Sequence, residues 1–317
     1  MEPNQKDNAT ASRQTVAVTG SSGMVGSALC AAMRQRDWSP LRIVRRDAAD
    51  AALAADEVAW NPAAKKLDAA RLNGVDAVVH LAGENIAGGR WTAALKQRIR
   101  DSRVVGTRFL AESLAQLAQP PRVLVSASAI GYYGNRQDAL LAEEHGPGRG
   151  FLSDVCVEWE NATAPAKARG IRVVNLRIGI VLSAKGGALK KMLLPFRLGA
   201  GGRVGSGGQF WSWISLPDLV GVILHTIDTD NLAGPVNAVS PEAVTNREFT
   251  RTLGSVLHRP TIFPMPAIAA RLAFGEMADA LMLASARVFP FRLQETGYKF
   301  QHLTLRSALQ DALATEA

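Results

Sequence analysis

The sequence predicts an α/β protein: a doubly wound parallel sheet with a smaller C-terminal region on the substrate side. Three observations predict it. Short apolar runs alternate with helical patterns from residue 15 to about 176, as successive βαβ units require. Two of those runs end at glycines, and the first glycine cluster opens a helix. Right-handed crossovers then place helices on both faces of the sheet.

Residues 1–14 are polar, with Glu2 and Asp7 set against Lys6 and Arg13, and are expected to be a disordered tail. Thr15–Thr19 is a buried strand, and Val25–Arg36 is a helix. Leu41–Val44, 57–60 and Asp76–Leu81 supply the second, third and fourth strands. A long helical pattern covers 92–118, and a fifth strand runs from Arg122 to Ser126. Phe151–Arg169 reads as one helix and Ile171–Leu176 as a sixth strand. Residues 199–210 hold six glycines and read as a long loop. Helices are expected at Asp218–Ile227 and at Asn246–Leu257, with Thr245 as N-cap and a strand at Val236–Val239 between them. Pro260, Pro264 and Pro266 punctuate the next stretch, and a last helix covers Thr304–Leu313. The expected division is a dinucleotide-binding domain over 15–180, with later strands returning from 181–260. Residues 181–317 then form mainly the substrate side and the C-terminal domain.

Composition narrows the function. Of 317 residues, 47% are hydrophobic and 20% charged, which suits a folded chain and excludes a disordered one. Cys30 and Cys156 are the two cysteines, too few for a disulfide framework or a four-cysteine metal site. They suit a reducing compartment, so the expected location is cytoplasmic. His145, His225, His258 and His302 are scattered, so no metal is expected. No apolar run reaches the roughly 18 residues a membrane span needs. The net charge is +8, but no run of five basic residues occurs. A small anionic ligand explains that excess better than nucleic acid does. The expected partner is a small molecule, a sugar nucleotide or another polar carbonyl compound, with neither nucleic acid nor membrane.

Thr19-Gly20-Ser21-Ser22-Gly23-Met24-Val25-Gly26 is the most informative stretch. Gly20 permits a tight turn, Gly23 lets backbone approach a pyrophosphate, and Gly26 lets the helix pack on the strand. Free N–H groups of Ser22, Gly23, Met24 and Val25 would hold the anion. An acidic residue after the second strand would select a ribose 2′-hydroxyl; Arg45-Arg46 stands there instead and favours the 2′-phosphate of NADP(H). Asp47 comes next and weakens that selection slightly. Small residues in Leu81-Ala82-Gly83 let a cofactor cross the sheet edge. His80 alternates with apolar neighbours and reads as a core residue.

These residues resemble the extended short-chain dehydrogenase/reductase family, a Rossmann-type fold. The glycine turn carries the resemblance, with Asp76-Ala-Val-Val-His-Leu-Ala-Gly83, Val104-Val-Gly-Thr107, Val125-Ser-Ala-Ser128 and Tyr133-Gly134. Arg177 and Asp218 match later landmarks, over about 15–260. Gly83-Glu-Asn-Ile86, Trp91, Ile99–Arg103, Trp159-Glu160, Leu194-Pro-Phe196 and Arg287-Val-Phe-Pro…Thr296-Gly-Tyr-Lys-Phe300 narrow it to one atypical subgroup. Its members are labelled "epimerase family" or NADP-dependent oxidoreductases, and end in a domain of unknown function. The resemblance implies that Arg177 joins the turn residues at the cofactor. Arg103 stands where the wider family usually has asparagine, just before Val-x-Gly-Thr, and an arginine there is expected to reach the cofactor phosphates.

One departure matters. The wider family uses Tyr-x-x-x-Lys on the helix after the serine strand; aligned on Glu160, those positions hold Leu152 and Cys156. Ser128, which matches the substrate-orienting serine, and Tyr132, in the following loop, are the expected substitutes. Two functions stay open: an NADP(H)-dependent oxidoreductase or epimerase-like enzyme, and a non-catalytic NADP(H)-binding sensor or assembly protein.

Overall fold

The computed structural model describes residues 14–46 and 53–314. The expected tail falls outside them except for Gln14, as does Asp47. Fourteen strands occur in chain order among the described residues. They are β1 (Thr15–Thr19), β2 (Ser39–Arg45), β3 (Glu57–Asn61), β4 (Lys66–Leu67), β5 (Ala77–His80), β6 (Val123–Ala129), β7 (Leu140–Leu141), β8 (Arg172–Ile178), β9 (Ile180–Leu182), β10 (Phe210–Trp211), β11 (Trp213–Ser215), β12 (Gly234–Ala238), β13 (Val244–Thr245) and β14 (Arg287–Val288). The helices are α1 (Met24–Gln35), α2 (Ala93–Ala115), α3 (Phe151–Asn161), α4 (Ala164–Ala168), α5 (Gly187–Arg197), α6 (Leu216–Asp228), α7 (Asn246–Leu257), α8 (Ala267–Phe274), α9 (Glu276–Ala278), α10 (Phe291–Glu295) and α11 (Leu305–Ala314).

Eight strands form one sheet in the order β12-β8-β6-β5-β1-β2-β3-β4, parallel except for the β3–β4 edge pair. The strand order reverses between β1 and β5, which is where sheets of this kind open a crevice at their carboxyl ends. Alternate residues of β1 feed opposite faces. Val16 and Val18 pack with Leu29 and Met33 of α1 and with Leu219 and Ile223 of α6, whereas Ala17 joins Leu110 and Leu114 of α2 on the other face. Both faces are covered, so the sheet strands read as near-continuous apolar runs.

A third cluster lies outside the sheet layers. It joins Leu189, Leu193 and Phe196 of α5 to Phe249 and Leu253 of α7 and Leu305 and Leu309 of α11. Asp218 clasps the C-terminal tail to it. Its carboxylate accepts from Ser215 Oγ at 2.7 Å, Gln301 N at 2.7 Å and His302 N at 3.1 Å.

Two expectations need correction. The helix read over Phe151–Arg169 is two helices, because Pro165 cannot continue α3 and instead starts α4. Pro264 and Pro266, read as punctuation alone, lead into α8, with Pro266 as its N-cap. Tyr298–Phe300 is a short segment with no strand pairing, held at the Asp218 clasp by Tyr298 Oη. Thr245 caps α7 as expected, within a full capping box closed by Glu248.

Candidate functional site

The glycine turn sits at the crevice. Gly20 has φ +66, and a Cβ on it would lie 3.0 Å from the Leu81 carbonyl carbon. A Cβ on Gly26 would lie 2.2 Å from Gly20 O, so α1 can approach the turn only through glycine. Gly23 N donates to Gly20 O at 2.9 Å and closes the loop. Gly23 then caps α1 with no side-chain bond, and no acid stands in the first turn. Ser22 and Gly23 are exposed; Met24 and Val25 are half-buried. The positive end of a 12-residue helix thus faces open space, as anion binding requires.

Both banks of the turn are set by strand register. β2 lies on one side, with Ile43 opposite Thr19, and β5 on the other, with His80 opposite Thr19. Arg45 and Arg46, both exposed, therefore flank the turn on one side and Leu81–Gly83 on the other. Arg42 takes the nearby acids, Asp56 at 2.9 Å and Glu57 at 3.1 Å. Arg46 reaches Glu57 only at 4.0 Å, and Arg45 has no ion pair among the described residues. The local arrangement leaves that cationic charge available to a ligand.

His80 is fully buried and is a structural residue, as expected. Thr19 Oγ1 accepts from the Leu81 and Ala82 N–H groups at 3.0 and 3.1 Å, so its own proton goes to His80 Nδ1 at 2.7 Å. His80 Nε2–H then donates to Thr107 Oγ1 at 3.0 Å, which also accepts from Trp159 Nε1 at 2.9 Å. Burial holds the ring neutral, with its pKa pushed down to about 4. One hydrogen-bonded chain therefore ties β1, β5, α2 and α3 together beneath the turn.

Arg103 lies beside Gly83, where a Cβ would come within 3.4 Å of its Cζ. Its guanidinium sits over Trp159, 5.0 Å from the ring centroid. Nη1 donates to Glu84 O at 3.0 Å and Ile99 O at 3.1 Å, while Nη2 and Nε carry no bond among the described residues. Burial lowers its pKa. Arg98 and Arg100 point elsewhere: Arg100 pairs with Glu158 at 2.6 Å and Arg98 approaches Glu84 at 3.9 Å.

Beyond β6, Ser128 donates to Glu160 Oε1 at 2.8 Å. Arg177, opposite Ser128 on β8, holds the same carboxylate through Nε at 2.8 Å and Nη2 at 2.9 Å. Its Nη1 donates to Tyr133 Oη at 2.9 Å and Glu143 O at 3.1 Å. This corrects the expectation for Arg177. It is 2% exposed and directed at protein groups, so it is a core cation rather than a group facing the cofactor crevice. Tyr132 is half-buried, its ring centroid 3.5 Å from Arg177 Cζ, and its hydroxyl has no hydrogen-bond partner among the described residues.

Tyr133 is core. Its hydroxyl donates to Asn237 Oδ1 at 2.7 Å, and burial pushes its pKa up to about 12. Leu152 and Cys156 face the Ile130–Tyr133 turn; a Cβ on Gly131 would meet them at 3.4 and 3.9 Å. Burial also pushes the Cys156 thiol up to about 12, which removes it as a nucleophile or ready acid.

Sequence reasoning missed the role of Glu160, which served only as an alignment anchor. An arginine on a buried strand needs an acid, and Glu160, four residues after Cys156, is on the facing helix side. It also missed α5, which touches both banks of the crevice. Gly186 and Gly187 pack on Met24, with Cβ approaches of 3.1 and 3.5 Å, and Lys191 Nζ donates to Ala87 O. Among the described residues no cluster of ligating side chains could hold a metal ion, and no helix is long and apolar enough to cross a membrane.

Comparison with known proteins agrees with this architecture. Residues 265–312 match a domain of unknown function, DUF1731. An epimerase family protein of Mycobacterium tuberculosis is 47% identical over 294 residues, covering 93% of this chain and 96% of the relative. The human epimerase family protein SDR39U1 is 35% identical over 305 residues, covering 94% and 99%. A crystal structure of that human protein with NADPH superposes with a TM-score of 0.86 at 32% identity, over 95% of this chain and 99% of that one. A nucleoside-diphosphate sugar epimerase from Corynebacterium glutamicum gives 0.79 at 34% identity, over 96% of this chain and 59% of that one. Residues 16–238 match the NAD dependent epimerase/dehydratase family, and the chain belongs to it.

Proposed function

We propose that this chain is an NADP(H)-dependent oxidoreductase or epimerase-like enzyme. Its substrate is a small polar molecule bearing a hydroxyl or carbonyl group, sugar nucleotides among them. The carrying observation is the cationic pair Arg45–Arg46 beside an uncapped helix N-terminus, where an NAD-selective site would hold an acid. The residues fit the cofactor. Gly20 and Gly26 leave no room for side chains at the turn, and Ser22, Gly23, Met24 and Val25 present main chain to a pyrophosphate. Leu81, Ala82 and Gly83 form the far bank, and Arg103 offers unused donors next to Gly83. The bound human relative and the name of the Corynebacterium relative support the cofactor and the substrate class. In this reading residues 15–180 hold the cofactor and 181–317 mainly the substrate.

When bound, the cofactor supplies or takes a hydride. The chain's own residues must manage the proton. Ser128, 2% exposed, has its proton committed to Glu160, so its lone pairs are what it can offer a substrate hydroxyl. Tyr132, whose hydroxyl has no hydrogen-bond partner among the described residues, is the group that gives or takes the proton. Tyr132→Phe is expected to lower turnover by about 100-fold, the usual contribution of a positioned acid, with NADPH affinity unchanged. Parental turnover in that variant would remove Tyr132 from the mechanism.

One observation favours a second reading, a non-catalytic NADP(H)-binding protein. Leu152 and the inert Cys156 stand where the family's acid/base pair stands. Tight NADPH binding without NADPH consumption across a screen of carbonyl compounds and sugar nucleotides would establish that reading instead.

A further inference from the structure

The substrate-side region exposes large apolar side chains. Leu194 and Leu198 at the end of α5 are 67% and 74% exposed, Ile262 and Phe263 are 72% and 60%, and Ile268 and Leu272 of α8 are 70% and 73%. They belong to one surface. Arg259 Nε donates to Arg197 O at 2.9 Å, Met265 N to Arg203 O at 2.8 Å, and Val204 bridges Met265, so the segments after α5 and before α8 run side by side. Both helices also meet the loop after β5: Lys191 bonds Ala87 O, and Arg90 lies against Gly275. On α8 the inner residues Ala270 and Phe274 pack on Val204 and Leu283, which leaves Ile268 and Leu272 on the opposite face.

The two segments that build this surface carry charge of one sign. Residues 185–206 and 257–275 contain no Asp or Glu, while the first segment carries five Lys or Arg and the second two. Arg203 and Arg259 spend their donors on main-chain carbonyls, which leaves their charge uncancelled; Arg271 pairs with Asp279. Exposed leucine, isoleucine and phenylalanine framed by lysine and arginine are what an anionic lipid surface binds, by apolar insertion and by attraction to headgroups. A second copy is the poorer occupant, because a two-fold contact would set this cationic face against itself.

We infer that the α5/α8 face docks this protein on anionic bilayers, with the mouth of the crevice turned toward the membrane. The expectation of no membrane partner rested on the lack of a spanning run and of a run of five basic residues; surface docking departs from it, because a folded face gathers its apolar and basic residues from separate segments. The inference does not depend on the proposed reaction.

Flotation of the full NADPH-loaded chain with vesicles tests it. With roughly 30% phosphatidylglycerol in phosphatidylcholine at about 0.1 M salt, the bound fraction is expected to exceed that on pure phosphatidylcholine by about tenfold. It should fall steeply at about 0.5 M salt. Leu198→Asp/Ile268→Asp, at solvent-exposed positions, is expected to lose that binding at least about tenfold while keeping its melting temperature and NADPH affinity. No partition to anionic vesicles, or equal partition of the variant, would overturn the inference. So would a dimer in sedimentation that the same variant dissolves, since the face would then be covered by a second copy.

Discussion

Replacing Glu160 by glutamine removes one charge and almost no volume from the centre of the Ser128–Glu160–Arg177 cluster. The consequence comes from burial. The Arg177 and Glu160 side chains are 3% and 12% exposed and meet through two bonds, Nε–Oε1 at 2.8 Å and Nη2–Oε2 at 2.9 Å. A glutamine can offer its oxygen to only one of these donors; its amide nitrogen then faces the other. The variant thus loses one charge-assisted bond, worth about 1.5–3 kcal/mol, and leaves a buried guanidinium without its counter-ion. Breaking a buried pair from one side costs about 3–5 kcal/mol in all, the two effects overlapping. Urea denaturation of the parent and Glu160→Gln reads that loss directly. Arg177→Met/Glu160→Met removes both charges, and is expected to recover more than half of the lost stability because no ion is left unpaired. A loss below about 1 kcal/mol in Glu160→Gln, or a double variant as unstable as the two single losses added, would refute the reasoning.

Three other outcomes are expected. Arg45→Ala/Arg46→Ala should lower NADPH affinity by at least about tenfold and leave NADH affinity unchanged in calorimetry, because each guanidinium–phosphate bond is worth about 1.5–3 kcal/mol. Gly26→Ala puts a methyl group 2.2 Å from Gly20 O, so α1 must shift; it should lose about 1–3 kcal/mol of stability, and NADPH should no longer raise its melting temperature. The His80 ring, held down at about 4 against an ordinary 6.5, stays neutral in the fold while the unfolded chain takes up a proton below about 6.5. Its contribution to stability is therefore complete above pH ~6.5. It falls as pH drops toward 4, by up to about 3 kcal/mol, a slope that His80→Gln should lack in denaturation at stepped pH.

The parallel sheet and its crevice are legible in the sequence because they are written in local signals. Apolar runs such as Val16–Val18 and Val123–Val125 need burial on both faces, and Gly26 answers to Gly20, six residues before it. Arg45–Arg46 is legible for the same reason: its place is fixed by being at the end of β2. The features that escape depend on distant partners. Nothing near Arg177 in the chain announces that Glu160 lies across the sheet face to meet it, so the sequence alone points the arginine toward the crevice. The Asp218 clasp joins residues more than eighty positions apart at Gln301 and His302. Helix α8 escapes because its prolines precede it and its outer residues, Ile268 and Leu272, are as apolar as the inner Ala270 and Phe274, which leaves no clear period.

Helix α5 touches the crevice at two points, Met24 on the turn side and Ala87 on the other. A change in this helix is therefore felt on both banks at once. The helix cannot tilt toward one bank without drawing on the other, so an element that belongs to neither bank helps to fix the distance between them.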